Sequence, residues 1–210
     1  MLVSTADVRA WINIVEGDKD PNQDIEALIK AVESFIGNFT NRKLEAAHYN
    51  GDADYCYLDG TGNDWLYLNE YPVSWIGTVY VDASREFDSA TAIGSADLVF
   101  YPKEGKIFSE GGKFSKGHRN IKVEYIAGYG PTATGTIAGG IASSYPLPYD
   151  LRQLIIEMTV QAYREGITAV HTVEGREDTR FLNMLNNRTA WKSTLSEYKN
   201  YAAGLSGYQE

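Results

Sequence analysis

Between Asn22 and Phe39, apolar side chains recur at Ile25, Leu28, Ile29, Val32, Phe35, Ile36 and Phe39. Steps of three and four put all of them on one side of a helix, which predicts the clearest amphipathic helix in the chain. A shorter helical pattern is expected over 4–15. Ser4 stands three residues before Asp7 in a capping-box arrangement, and Val8, Trp11, Ile12 and Val15 follow at helical spacing. The stretch EGDKDPNQD reads as a turn, with Pro21 as its strongest punctuation. After Leu44 the period falls to two. Tyr55–Leu58, Trp65–Leu68, Val73–Val81, Leu98–Tyr101, Lys106–Phe108 and Ile121–Ile126 predict short strands, separated by the turn signals DGTGND (59–64), EGG (110–112) and KGH (116–118). Helical spacing returns at Pro148, with Leu151, Leu154, Ile155, Met158 and Ala162 as a buried stripe and Gly166 as its expected end. A polar connection (168–178) leads to a last helical pattern from about Thr179 to Ala203.

This order predicts an α+β fold. Residues 1–47 and 146–210 are expected to form one helical bundle, because helices from both ends of the chain flank the strands. Residues 48–128 are expected as an inserted small antiparallel sheet or sandwich, and 129–147 as a flexible Gly/Ala/Thr-rich loop. A chain of 210 residues that is 43% hydrophobic can bury a core, which excludes wholesale disorder. No apolar run is long enough for a membrane span, and MLVSTADVRAWINIVEGD has no apolar h-region, so neither a membrane partner nor a secretory signal is expected. The one cysteine, Cys56, has no partner for an internal disulfide and reads as a small core or sheet-face residue.

Net charge is −9, and the imbalance is local: Glu45, Asp52, Asp54, Asp59, Asp64, Glu70 and Asp82 fall in a window, 44–84, that contains no Lys or Arg. A reader of nucleic acid needs clustered cations, so this balance argues against one, and the window reads as a solvated acidic face. The acids lack the D-x-[DN]-x-[DN]-G pattern of a calcium loop, and Asp59-Gly60 reads as turn chemistry. GPTATGT (130–136) has Thr136 where a phosphate loop needs Lys. His48, His118 and His171 show no metal spacing and no acids in register, and no G-x-S-x-G elbow is present. No catalytic set, metal or cofactor is therefore expected. The aromatic content, 15 Tyr, 7 Phe and 4 Trp, favours a protein that works through surfaces half buried and half wet.

Four stretches carry a family resemblance in order. They are DIEALIKAVESFIGNFTNRKLE (24–45), LDGTGNDWLYLNEYPVSWIGTVYVD (58–82), HRNIKVEYIAGY (118–129) and PLPYDLRQLIIEMTVQAYREG (146–166). Together they resemble the head–tail connector, or adaptor, proteins of tailed bacteriophages. The resemblance implies a non-enzymatic virion protein, a ring of typically twelve copies beneath the portal. Such a ring extends the DNA channel and offers a surface to head-closure or tail proteins, with DNA passing through without tight binding. It also implies a place at the head–tail junction of the virion and in the host cytoplasm during assembly. The chain departs from the pattern in its long 129–147 join and in its continuation past Gly166.

That continuation carries a narrow stripe of Met184, Trp191, Leu195, Tyr198, Ala202 and Leu205, suited to one partner. The stripe either packs back on its own bundle or docks on the portal or a neighbouring copy. Met184, Trp191, Leu195, Tyr198 and Tyr201 are the candidate interface residues. Two other classes of function remain open on sequence: a carbohydrate- or ligand-binding β module using the Tyr- and Trp-bearing strands, and a hydrolase using the acids at 52–64.

Overall fold

A computed structural model describes residues 1–12, 22–51, 56–130, 144–166, 183–184 and 186–199. The fold is α+β and divides into two compact units. One comprises Met1–Leu44 with Leu147–Tyr201, the other Glu45–Pro146 with Ala202–Glu210.

In the helical unit, α1 (Thr5–Arg9) begins with the expected capping box. Ser4 Oγ accepts the Asp7 N–H at 3.2 Å, and the Asp7 carboxylate accepts the Ser4 N–H at 3.1 Å. The Ser4 hydroxyl, donating at 2.8 Å, is the largest influence holding the Asp7 carboxyl below its ordinary value. The same carboxylate pairs with Arg152 at 2.6 Å. Helix α2 (Asn22–Thr40) buries Ile25, Leu28, Ile29, Val32, Phe35 and Ile36, with Phe39 half-buried at the stripe's end. It stops where Asn41 turns left-handed (φ 54°), a conformation Asn tolerates, and the Arg42 N–H returns to the Gly37 carbonyl at 3.0 Å. Helix α3 (Tyr149–Arg164) starts directly after Pro148. It buries the five expected residues and also Ile156, Thr159 and Val160, because α1, α2 and a last helix, α4 (Thr189–Glu197), all pack against it.

The β unit has two antiparallel sheets around one core. In the first, the long strand β7 (Gly117–Ala127) is central. It pairs with β4 (Val73–Val81) on one side and, end to end on the other, with β1 (Ala47–Tyr49) and β2 (Tyr57–Gly60). The second sheet has the order β3 (Trp65–Tyr67), β6 (Lys106–Ser109), β5 (Leu98–Tyr101). Leu58, Val79, Ile121, Val123 and Tyr125 from the first sheet meet Leu66, Leu98 and Ile107 from the second in a shared interior closed by Phe114. Tyr49 and Tyr125, a cross-strand pair, stack there with ring centroids 5.0 Å apart. Burial pushes the Tyr125 hydroxyl well above its ordinary pKa, so it stays neutral.

Two turn expectations change. Asp59-Gly60 and Gly117-His118 lie inside β2 and β7 rather than in turns. Gly60 is required for proximity: a Cβ there would overlap the Ser115 carbonyl oxygen. The positive-φ turn residue is Gly62 (φ 82°). Strand β1 has no counterpart among the expected strands, since three residues are too short to display a period. Residues 131–143 of the expected loop, and the connection at 168–178, lie outside the described residues.

Candidate functional site

Tyr201 lies outside the described residues. Met184 and Trp191 are each 6% exposed and Leu195 is 0% exposed. Helix α4 runs antiparallel along α3, and their contacts keep one register. The Tyr198 hydroxyl donates to the Asp150 carboxylate at 2.7 Å, the Trp191 indole N–H donates to Glu157 Oε2 at 2.9 Å, and Arg188 donates to Gln161 Oε1 at 3.4 Å. Asp150 to Glu157 and Trp191 to Tyr198 are each steps of seven, two helical turns, so the rungs stay aligned. The Arg188 guanidinium lies 4.8 Å from the Trp191 ring centroid. Buried Arg42 donates to the Tyr198 carbonyl at 3.3 Å, placing a cation at the C-terminus of α4. The described part of the stripe, Trp191, Leu195 and Tyr198, packs on its own bundle, while Ala202 and Leu205 lie outside the described residues. The reason is in α3: its acceptors, Asp150 and Glu157, match the donors of α4, which the spacing of α4 alone does not reveal.

Of the acids in the 44–84 window, Asp59 and Asp82 are committed internally, while Glu45 is exposed. Asp52 and Asp54 lie outside the described residues. Glu70 is 2% exposed. Asp59 accepts the Arg119 N–H at 2.7 Å and pairs with His118 at 3.0 Å. Burial opposes its ionisation, but these two partners outweigh it and hold the carboxyl below its ordinary value. The window is thus not a uniformly solvated face: Glu70 is buried, and Asp59 and Asp82 satisfy backbone N–H donors. Two histidines have acids beside them after all: His118 has Asp59, and His48 has Glu124 at 2.7 Å, supplied by neighbouring strands. His171 lies outside the described residues. Cys56 is fully buried in the β core. Among the described residues, no group of three or more His, Cys, Asp or Glu could hold a metal ion, and no helix is long and apolar enough to cross a membrane.

Asp82 has the most constrained carboxylate of the set. One oxygen accepts the Ser84 N–H and hydroxyl at 2.8 and 2.7 Å; the other accepts the Glu86 and Phe87 N–H groups at 2.8 and 2.9 Å. The Ser84 hydroxyl first, then the Phe87 amide, pull its pKa down from 3.8 to about 2. The clamp holds Phe87 at a left-handed φ of 52°. There Phe87 joins Tyr57 and Tyr80 around Lys122, whose Nζ is 5.9 Å from each ring centroid. A depressed carboxyl pKa stabilises the fold above its unfolded value, 3.8, and that contribution is lost as pH falls through about 2. Asp82→Asn should therefore melt below the wild type above pH 4, with the gap narrowing towards pH 2. A gap independent of pH in thermal melts would refute the clamp.

Among the described residues, one face of the second sheet is left partly open, with Tyr67 and Tyr101 exposed and Trp65, Val99, Lys106 and Phe108 half-buried. Pairing sets Trp65, Phe108 and Val99 in one cross-strand row and Tyr67, Lys106 and Tyr101 in the next. Tyr67 and Tyr101 are 51% and 41% exposed. Trp65 packs between Tyr101 and Phe108 at 5.4 and 4.9 Å, the rings tilted by 47° and 51°. Composition alone counts these aromatics without placing them. The strands Trp65-Leu66-Tyr67 and Lys106-Ile107-Phe108 are apolar at both parities, so alternation does not say which side is covered.

The fold is thus a helical unit that buries Trp191 and Leu195 of its last helix, and a two-sheet β unit in which Asp59 and Asp82 bind backbone N–H groups. Residues 1–141 match the family model described as Head completion protein, and the chain belongs to that family. Its role is that of a structural phage head–tail connector. Among solved structures it is similar to a chain in the virion of a native gene transfer agent particle, at 17% identity, 78% of each chain covered and a TM-score of 0.53. It is also similar to a chain in the neck of an empty gene transfer agent particle computed with C6 symmetry, at 18% identity, 78% of each chain covered and a TM-score of 0.50. At these identities the likeness is one of fold. No curated protein matches the chain.

Proposed function

We propose that this chain assembles into a ring at the neck of a phage virion, between the portal and the head-closure or tail proteins, after folding in the host cytoplasm. The observation that carries this reading is the family match over residues 1–141, which spans α1, α2 and β1 to β7. The fold likeness to a neck chain supports it. A ring of twelve copies is the form the sequence resemblance implies. In this reading the role is architectural, and Asp59, Asp82, His48 and His118 serve contacts within the β unit.

Charge shapes how such a ring would behave. At −9 per copy the subunits repel, and the Debye length at 0.15 M salt, about 8 Å, screens neighbouring charges only in part. Rings should close more readily with added salt or divalent cations. Around DNA, an acidic lining lets the duplex slide, because cationic contacts would release counterions and hold it. Electron microscopy of the full chain mixed with its portal protein should show rings seated on the portal. Sedimentation as a monomer at every salt concentration, portal included, would refute the ring.

A further inference from the structure

We infer that the open face of the β3–β6–β5 sheet is the contact through which one copy of this chain grips the next, an inference that rests on the ring reading above. The opposite face of the sheet, with Leu66, Leu98 and Ile107, is buried in the core. A solvated antiparallel face is ordinarily polar. Here Trp65, Phe108, Val99, Tyr67 and Tyr101 surround one charged residue, Lys106.

Size selects the occupant. Three strands about 4.8 Å apart and rows about 3.3 Å per residue along the chain give a footprint on the order of 200 Å². A stable two-body interface needs about 800 Å² from each partner. The face is therefore too small to hold a free partner alone, but it has the size and the aromatic make-up of an interface hot spot. Such a contact is effective where closure multiplies it, as between successive copies in a ring, each presenting the face to one neighbour and receiving it from the other.

Charge and ring geometry agree. Lys106 Nζ is bound to Glu104 at 2.6 Å and lies 5.8 Å from the Tyr67 ring centroid, so the face carries no net charge in a chain of −9. Exposed Lys103 at its rim adds a positive charge that complements an acidic neighbour. The tilted rings around Trp65 are packed on one another and offer no flat platform for a sugar, which favours protein side chains in the gaps between them.

The test uses the full chain with Tyr67 and Tyr101 both changed to Ser, and Tyr149→Ser, 76% exposed on α3, as the control. All three chains should give the same folded circular dichroism spectrum at assay temperature, the double variant melting lower because Trp65 loses its Tyr101 neighbour. Sedimentation and electron microscopy should show the double variant needing a concentration about tenfold or more above wild type to close rings, with the control unchanged. A photoreactive benzoylphenylalanine at position 67 should crosslink to a second copy of the chain. Rings formed by the double variant at wild-type concentration, or crosslinks to the portal alone, would overturn the contact while the ring stands. A wild-type chain that never forms rings would remove the ring reading, and the contact with it.

Discussion

Trp191→Ala should lower the unfolding free energy of the free chain by about 3–5 kcal/mol, the range for truncating a buried large aromatic residue. The residue is 6% exposed, covers α3, bonds to Glu157 at 2.9 Å and sits under Arg188 at 4.8 Å. The substitution opens a cavity and leaves the Glu157 carboxylate without its indole donor. Trp191→Phe keeps much of the ring volume and loses chiefly that hydrogen bond, so it should cost about 1–2 kcal/mol. Urea denaturation of the free chain, followed by far-UV circular dichroism, separates the two variants. An alanine variant as stable as wild type but defective in assembly would mean that α4 serves a partner rather than its own bundle. Hydrogen exchange gives the same distinction: amides in Thr189–Glu197 should be protected in the free chain.

Gly60→Ala should destabilise the β unit by about 3 kcal/mol or more. The new Cβ meets the Ser115 carbonyl oxygen, a backbone atom that cannot swing aside. The same spot is tied by Asn120, 3% exposed, whose Oδ1 accepts the Gly60 N–H at 2.9 Å and whose Nδ2 donates to the Ser115 carbonyl at 2.9 Å. One side chain thus joins β2, β7 and the segment that carries Phe114 into the core. Gly62→Ala is the informative comparison. Gly62 has φ 82° but only the Lys116 Cβ, 3.7 Å away, near its missing side chain, so the cost there is the left-handed backbone alone, about 1–2 kcal/mol. Thermal melts in which Gly62→Ala proves the worse of the two would show that turn conformation, not close approach, governs this corner.

The acids and the last helix show why local reading stops where it does. Asp59 and Asp82 look alike in sequence, two acids in a window without cations. In the fold, Asp59 answers donors on β7, sixty residues away in the chain, while Asp82 closes a loop only five residues long. The Asp82 clamp follows from its own neighbourhood, since acids favour local bonds to nearby backbone N–H groups. The Asp59 contacts depend on β2 pairing with β7, which no window around Asp59 contains.

By itself, the amino-acid order determined the α+β succession, the stripes of α2 and α3, the capping box at Ser4, and the extents of β4 and β5. Each of these depends on residues within a turn or two of one another, and period and caps report that scale directly. Only the tertiary structure decided that α4 belongs to its own bundle, that Gly60 serves close approach, and that Trp65, Tyr67, Tyr101 and Phe108 share the partly open side of a sheet. A period tells which positions on an element are apolar. What covers them is set by pairing register and by donors and acceptors brought together from distant parts of the chain, and those exist only once the chain has folded.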